Sequence, residues 1–268
     1  MIGILNRYAP ISLTEMGEVR LMDRVDTKFV TTEDSLAALL AEAESAYFAQ
    51  DIDGRRIASY YTLYYDTEDC SMFLAHHNGK LNRQKLRIRS YIDSSLDFLE
   101  VKTKDNHGRT RKNRIVIYNF DHTRHVEADV CKTCSDTSRD CRAFLADHLR
   151  YDPLAMRRKI ENRFRRITLV DKGKTERVTI DTGIRFYNYV TGVSLSLPRL
   201  VVIELKRTRG SRSPILSALR RLHIKPMGFS KYCIGMSMTD ARLKKNLFLP
   251  RIHKTNKMTA YKQNDGRA

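Results

Sequence analysis

Basic side chains occupy every second position in the segment from Arg83 to Tyr91. Arg83, Lys85, Arg87 and Arg89 carry the charges, and Leu86 and Ile88 between them are apolar. Because alternate residues of a β-strand project to the same side, the four bases would share one face. Same-face neighbours lie about 6.5–7 Å apart, so a row of like charges repels itself. The pattern therefore indicates either a solvated face or a binding surface for a polyanion of similar repeat.

The charge of the whole chain also favours an anionic partner. The 268 residues include 49 Lys and Arg against 31 Asp and Glu, which gives a formal net charge of +18. Part of the surplus lies after Asp240, and the remainder belongs to the folded part. Hydrophobic residues make up 41% of the chain, enough for a core. We expect one domain over residues 1–250 and a basic, disordered tail over residues 251–268.

The cysteines and the apolar runs predict where the protein resides. No run approaches the length of a membrane span, and the first ten residues lack the apolar core of a signal peptide. Five cysteines, an odd number, favour a reducing compartment. We therefore expect a soluble cytoplasmic protein. Cys131 and Cys134 form one CxxC pair, but a structural zinc site usually needs two paired ligand groups, so a reduced loop leading to a buried Cys141 is favoured.

Polar–apolar alternation recurs in other segments and predicts further strands. These segments are 24–30, 59–65, 98–104, 112–117, 165–170, 177–181 and 200–206. Apolar residues at helical spacing predict helices over 32–50 and 138–150, a helix from Pro214 behind a Ser213 cap, and a last one from about Ser230. Hairpin-length connections favour an α+β fold, an eight-stranded antiparallel β-barrel with helices packed outside.

Charged residues mark one face of at least five of these strands. A half-buried sheet with a wet polar face would account for one such strand. For five, with single acids placed among clustered bases, we favour apolar faces turned towards the helices and a tunnel whose lumen is lined by Lys and Arg. Acids such as Glu100 and Glu204 on these faces suit a metal better than they suit nucleic-acid phosphate.

A series of short motifs in a fixed order resembles the vacuolar transporter chaperone (VTC) catalytic domain, a member of the triphosphate tunnel metalloenzymes. The resemblance runs from about Leu21 to Leu243. Its motifs are 26–30, 64–67 with Phe73, His76 and Gly79, 85–89, 100–102, 112–114, 164–166, 177–181, 203–206 and 229–233. None is specific alone, but their common order makes the signal strong.

The resemblance implies an ATP-dependent polyphosphate polymerase that moves the γ-phosphoryl group of ATP onto inorganic polyphosphate with a divalent cation, Mn²⁺ or Mg²⁺. Catalytic phosphate contacts would come from Lys28, Arg87, Arg89, Lys102 and Arg166. Substrate-binding positions would be Lys112, Arg177, Ser230 and Lys231, more loosely Lys80, and, from the strand faces, Arg83, Lys85, Arg114 and Lys206. Glu204 matches the acid that coordinates the metal.

The chemistry agrees with these residue types. Phosphoryl transfer needs positioning and charge stabilisation more than covalent help. Arginine holds phosphate oxygens with a two-pronged fork, and lysine acts as a point charge. Hard divalent cations prefer oxygen ligands, so one or two carboxylates suffice when phosphates supply the rest.

Two positions depart from the family pattern. Phosphatase members of the superfamily begin with Glu-x-Glu-x-Lys, whereas the matching run here is Arg24-x-Asp26-x-Lys28. Arg24 in place of the first glutamate removes a metal ligand, which favours chain synthesis over hydrolysis. A lysine that often stands two residues before the Ser230–Lys231 pair is Gly228 here.

Alternative functions remain open at this point. A metal-dependent triphosphatase of the same fold would release phosphate instead of extending a chain. A non-catalytic polyphosphate or nucleic-acid binding protein would use the same bases, although nucleic-acid sheets usually expose aromatic residues that the 85–89 and 100–104 faces lack. We expect ATP and polyphosphate as partners and no nucleic acid. The oligomeric state and a membrane-protein partner that receives the product stay open.

Overall fold

The computed structural model describes residues 2–17, 24–122, 130 and 138–260. The strands are β1 Ala9–Ile11, β2 Arg24–Thr32, β3 Tyr47–Gln50, β4 Ala58–Asp66, β5 Arg83–Tyr91, β6 Leu96–Lys104, β7 Thr110–Ile117, β8 Arg157–Asp171, β9 Glu176–Asn188, β10 Ser194–Leu197 and β11 Leu200–Thr208. The α-helices are α1 Ile2–Leu5, α2 Leu13–Gly17, α3 Glu33–Ala43, α4 Ser71–His77, α5 Ser138–His148, α6 Pro214–Arg221, α7 Lys231–Thr239 and α8 Leu249–Thr259.

All the strands belong to one large sheet of eleven strands. Its main path runs β2-β11-β9-β8-β4-β5-β6-β7, with antiparallel neighbours throughout. The short strands β1, β3 and β10 lie off this path, where β3 pairs with β8 and β10 with β9. The α+β class is therefore confirmed.

The expectation of a closed eight-stranded barrel is wrong. The sheet is not closed, and within the described residues its two end strands, β2 and β7, share no hydrogen bonds. Both ends carry bases on the same face, with Arg24 and Lys28 on β2 and Lys112 and Arg114 on β7. Charged edge strands resist pairing with one another, which accounts physically for the opening.

The open sheet is nevertheless strongly curled. Glu204 on β11 and Lys102 on β6 interact electrostatically, although five strand-to-strand steps separate them on the path. In a flat sheet such steps would place them about 24 Å apart. The polar faces therefore curve towards each other and line a trough, by which we mean the concave face that carries Lys28, Glu204, Arg166, Arg87 and Lys102.

The apolar faces of the strands pack outward against helices, as the alternation predicts. One core cluster joins β8, β9 and β11 to α3 and α6, for example through Ile167, Leu39 and Leu219. Another joins β5 and β6 to α5 through Ile88 and Leu145. Burial of these side chains is the main force that orients the charged faces inward.

The inner face is itself divided into two parts. Beyond the charged positions its residues are apolar and belong to a third core cluster, which includes Phe164, Phe186 and Tyr232. Helix α7 lies against this part, where the backbone of Gly235 approaches Phe186 and Ile160. The trough is therefore filled by protein at one end and charged along the rest.

Several local predictions change in extent. The predicted helix over 32–50 ends at Ala43. Tyr47–Gln50 instead form a strand, because the backbone from Tyr47 pairs with the end of β8. The predicted disordered tail also begins too early. Residues 249–259 form α8, since Ile252 and Thr255 are buried against the fold. The rest of that tail, from 261, lies outside the described residues, as do Cys131 and Cys134.

Other local predictions are confirmed. The predicted strands 165–170 and 177–181 lie in β8 and β9, which form a hairpin with Lys172–Lys174 at its turn. Ser213 caps α6 by accepting a hydrogen bond from the Leu216 amide at 3.2 Å, and Ser230 caps α7 in the same way from Cys233. Cys141 is buried. No helix in the described part of the chain is long and apolar enough to span a membrane.

Candidate functional site

Three acids on the trough each hold two bases. The first is Glu204, whose Oε1 accepts a short hydrogen bond from Lys28 Nζ, while Lys206 Nζ lies 3.6 Å from Oε2. Register explains the first pair, because Glu204 stands directly opposite Lys28. Burial alone would raise the pKa of Glu204, but Lys28 and Lys206 hold it well below its usual range. Glu204 is therefore a carboxylate anion.

The second acid is Asp181 on β9. Arg166 clamps it with two parallel bonds, Nε to Oδ1 at 2.6 Å and Nη2 to Oδ2 at 2.9 Å. Lys231, the first residue of α7, donates to the same Oδ2. These charges depress the pKa of Asp181 although its burial acts in the opposite direction. Asp181 thereby fastens the N-terminus of α7 to the sheet.

The third acid is Glu100 on β6, which is fully buried. Its Oε2 accepts from Nε and Nη2 of Arg87 at 2.8 and 2.6 Å, and Lys112 Nζ lies 3.3 Å from Oε1. Burial raises the pKa of Glu100, but Arg87, Arg89 and Lys112 outweigh it and hold the value at about 2. Register explains the Arg87 pair, because Arg87 stands directly opposite Glu100. Lys112 stands opposite Lys102 and reaches Glu100 diagonally.

Further bases on the trough have no carboxylate at ion-pair distance among the described residues. Lys85 donates to Ser230 Oγ at 3.0 Å, and Arg89 has only a long contact of 3.4 Å to Thr62 Oγ1. Lys102 makes no hydrogen bond or ion pair in the part of the chain that the structure describes. The charge of Arg87, together with burial and Arg89, lowers the pKa of Lys102 to about 5. The trough thus has an excess of positive charge that the protein itself does not neutralise.

Tyr64 marks the point where these charges converge. Burial raises the pKa of its hydroxyl, but Arg87, Arg89 and Lys85 together bring it below the usual value. Its ring stacks on Tyr232 at 5.1 Å between centroids. Tyr64 belongs to the 64–67 motif, but nothing local in the sequence shows which cations fold around its hydroxyl.

Two aromatic rings support the bases next to Asp181. Tyr60 and Phe164 stack at 5.2 Å between centroids. The Arg166 guanidinium lies 4.8 Å from the Tyr60 ring, and Lys231 Nζ lies 4.4 Å from the Phe164 ring. Cation–π contacts of this kind hold a base in place without neutralising it. Aromatics are thus present on the inner face, beside the charged positions.

Four of the predicted substrate-binding residues lie at the margins of this arrangement. Arg177 donates to the Met16 carbonyl at 2.7 Å, and Arg83 donates to the Lys80 carbonyl at 2.6 Å. Lys80 is exposed and lines a cavity of about 480 Å³ with Arg83. Arg114 lies over the Phe98 ring at 4.3 Å, near the open edge of β7. Their role in binding stays a prediction.

The carboxylates fit a divalent cation only together with substrate. Within the described residues no cluster of three or more His, Cys, Asp or Glu side chains could hold a metal. Mg²⁺ and related ions are often held by one or two carboxylates, with phosphates and water as the other ligands. Glu204 faces the trough and could exchange Lys28 for such an ion. The site thus suits a cation that arrives on phosphates, not one caged by the protein.

Comparison with known proteins gives one family match. A family model described as VTC domain matches residues 23–239, which is most of the chain and includes every acid centre described above. A search of curated proteins finds no match.

Solved structures of low similarity cover most of the chain. The putative adenylyl cyclase HpAC1 from Hippeastrum, described as having a dominant triphosphatase activity, is 15% identical with a TM-score of 0.45, over 82% of this chain and 97% of its own. The PH1819 protein from Pyrococcus horikoshii OT3 is 13% identical with a TM-score of 0.41, over 80% and 98%.

Proposed function

The chain belongs to the VTC domain family, and from that premise we propose that it is an ATP-dependent polyphosphate polymerase. The observation that supports this most is the trough itself. Each of its three acids is already shared by two bases, and Lys85, Arg89 and Lys102 contact no carboxylate in the described part of the chain. A linear polyanion bound along the trough would neutralise this positive charge.

In the proposed reaction a terminal oxygen of the polyphosphate chain attacks the γ-phosphorus of ATP. The bond between that phosphorus and the β–γ bridging oxygen breaks, so ADP leaves and the chain is one phosphate longer. Charge on the transferring group is spread over its oxygens in the transition state. Arg87 and Arg166, whose forks are held by Glu100 and Asp181, would stabilise that charge without reorganising, together with Arg89.

The unpaired bases have a different part in this proposal. Lys85 and Lys102 would position the flanking phosphates, because a lysine is a point charge with several acceptable directions. A divalent cation held by Glu204 and phosphate oxygens would neutralise charge on the leaving ADP. The acids Asp181 and Glu100 stay paired and orient Arg166 and Arg87.

One experiment separates the candidate activities. Purified protein is incubated with ATP and Mn²⁺, and the products are resolved by gel electrophoresis and ³¹P NMR. We expect ADP and a ladder of long polyphosphate. Orthophosphate as the sole product would instead identify a triphosphatase of this family. Tight polyphosphate binding with ATP left intact would identify a non-catalytic binding protein.

A further inference from the structure

Arg251, on the C-terminal helix α8, lies against the backbone of Gly228. A Cβ atom built on Gly228 would stand 3.9 Å from both Nε and Nη2 of Arg251 and 4.0 Å from its Cζ. The guanidinium therefore packs next to the space that a side chain at position 228 would enter, at ordinary van der Waals distance from its Cβ. Arg251 lies outside residues 23–239, so the family match assigns it no role.

Position 228 adjoins the trough on both sides. The preceding amide, Met227 N, donates to the Lys28 carbonyl at 2.8 Å. Two residues further on, Ser230 accepts from Lys85 Nζ at 3.0 Å, and Lys231 binds Asp181. The Arg251 guanidinium is thus placed where the loop leading into α7 passes between Lys28 and Lys85.

The surroundings of Arg251 are basic. Within the described part of the chain it has no carboxylate partner, and its side chain is exposed. The imidazole of His76 lies within the electrostatic field of the same bases. Burial and the charges of Lys85, Arg83 and Arg251 lower its pKa to about 2. A cation held among other cations without an acid is unfavourable unless an anion joins them.

The position of Arg251 is set by the fold. Phe248 and Ile252, on either side of it, are buried in the core cluster that contains Phe229 and Tyr232. The Leu247 amide donates to His77 Nε2 at 3.3 Å and ties the start of α8 to α4. The guanidinium also lies 5.9 Å from the Phe248 ring. Helix α8 therefore presents Arg251 at a fixed place beside the trough.

We propose that Arg251 forms an additional phosphate subsite with Lys85 at this end of the trough, where it binds the polyphosphate chain outside the reacting centre. The proposal rests on the function proposed above. A guanidinium matches two phosphate oxygens at once, which suits a chain that must be held while it grows. The C-terminal helix then extends the substrate path beyond the residues shared with the family.

The test compares three variants in binding and in synthesis. Arg251→Ala removes the guanidinium. Lys257→Ala removes an exposed base from the same helix and serves as the control. Arg251→Ala combined with Gly228→Lys returns a cation to the vacated space, and position 228 accepts a side chain because its nearest neighbour is Arg251 itself and its φ is not positive.

Binding of polyphosphate of defined length is measured without ATP or metal, so that it does not depend on catalysis. We expect Arg251→Ala to weaken binding by about tenfold or more, as for loss of a charge-assisted contact. Lys257→Ala should bind as the wild type does, and the Gly228→Lys double variant should recover most of the loss. In synthesis, Arg251→Ala should shorten the product with a smaller effect on the initial rate.

Unchanged binding in Arg251→Ala, or an equal loss in Lys257→Ala, would overturn the subsite. A loss that Gly228→Lys does not restore would also count against it, provided that thermal unfolding shows all variants folded. The proposed function fails separately: if the wild type makes no polyphosphate but binds it through Arg251, the polymerase proposal is wrong and the subsite stands.

Discussion

At the scale of single residues, two neighbouring arginines of β5 differ in what holds them. Arg87 is buried and clamps the fully buried Glu100, whereas Arg89 has no acid partner among the described residues. The alternation of the sequence places both on one face but does not distinguish them. The difference comes from β6, because Glu100 stands opposite Arg87 in the register. Arg87 therefore has a structural role as the partner of Glu100, and we expect both arginines to bind phosphate.

Replacing each arginine by alanine should separate these roles. Both variants should lose at least about 100-fold in synthesis rate, since each removes a phosphate contact. Arg87→Ala should also lower the free energy of unfolding by about 3 kcal/mol or more, because Glu100 loses its main partner while buried. Arg89→Ala should unfold like the wild type or slightly later. Rates and denaturant titrations measure the two effects.

The double variant Arg87→Ala with Glu100→Gln controls for the buried charge. It should regain part of the lost stability without regaining activity, because the unpaired anion is gone and the arginine is still missing. If Arg87→Ala turned over normally while melting early, Arg87 would be purely structural.

Glu204→Gln tests the metal ligand. The amide keeps the shape of the side chain and removes its charge, so Mn²⁺-dependent synthesis should be abolished. Polyphosphate binding without metal should be unchanged or tighter, since a repelling charge is lost. The measurements are a Mn²⁺ titration of the rate and a metal-free binding isotherm. Normal metal dependence in this variant would mean that Glu204 only pairs with Lys28 and Lys206, and Asp26 would be the next candidate.

The depressed pKa of Lys102 predicts that binding takes up protons. With a pKa of about 5, Lys102 is neutral at pH 7 in the free protein. A bound polyanion offsets the field of Arg87 and Arg89 and raises that pKa, so the complex binds a proton that the free protein lacks. Affinity should therefore fall as the pH rises above about 5.

Calorimetry in two buffers of different ionisation enthalpy measures this uptake directly. At pH 7 the wild type should take up protons on binding polyphosphate, and Lys102→Met should take up fewer. Equal proton uptake in the two proteins would show that another group titrates. In that case a group of the trough other than Lys102 would take up the protons.

At the scale of elements, period and capping predicted much of the framework. The strands around Arg87, Glu100 and Glu204 and the helices behind Ser213 and Ser230 lie where the sequence placed them, because alternation and caps are local signals. The sequence does not predict helix α8, because few of its residues are apolar and its formation depends on the packing of Ile252 and Thr255. The sequence predicts a helix where strand β3 lies, because the pairing of β3 with β8 is not a local signal.

Helix α7 is the element that joins the apolar and charged parts of the trough. Its Tyr232 hydroxyl donates to Asp66 at 2.5 Å, and Asp66 in turn accepts from the Met72 and Phe73 amides of α4. Its first residue, Lys231, binds Asp181. The position of Lys231 in the trough therefore depends on how closely α7 packs on the sheet.

Gly235→Ala tests that packing. The added Cβ would stand 2.7 Å from a Phe186 ring carbon and 2.8 Å from Ile160 Cδ1, so the helix or both side chains must move. Overpacking of this kind costs about 1–3 kcal/mol. Because α7 carries Ser230 and Lys231, the rate should fall as well, which unfolding and synthesis assays would measure. Gly3→Ala, with no atom within 4 Å, is the control and should leave both quantities unchanged. Wild-type activity in Gly235→Ala would show that the position of α7 tolerates displacement.

At the scale of the whole molecule, the sequence predicts which face is charged but not how far the sheet closes. Closure depends on the shear accumulated over all the strands and on whether the two edges can pair, and neither is a local property. Here the curl brings Lys102 within electrostatic reach of Glu204 while β2 and β7 stay unpaired in the described part of the chain. Which base each acid holds likewise depends on strands that lie next to each other in the sheet but not in the local sequence, as with Asp181 and Arg166.

An extended basic trough predicts a salt dependence that grows with ligand length. A long polyphosphate contacts bases from Lys28 to Lys112 and releases the counterions that each contact displaces, so its log affinity should fall steeply and linearly with log salt. Tripolyphosphate, which can reach only a few of these bases, should give a shallower slope and serves as the matched control. Binding isotherms over a series of KCl concentrations measure both slopes. Equal slopes would mean that one short site captures either ligand and that the remaining bases of the trough do not hold the chain.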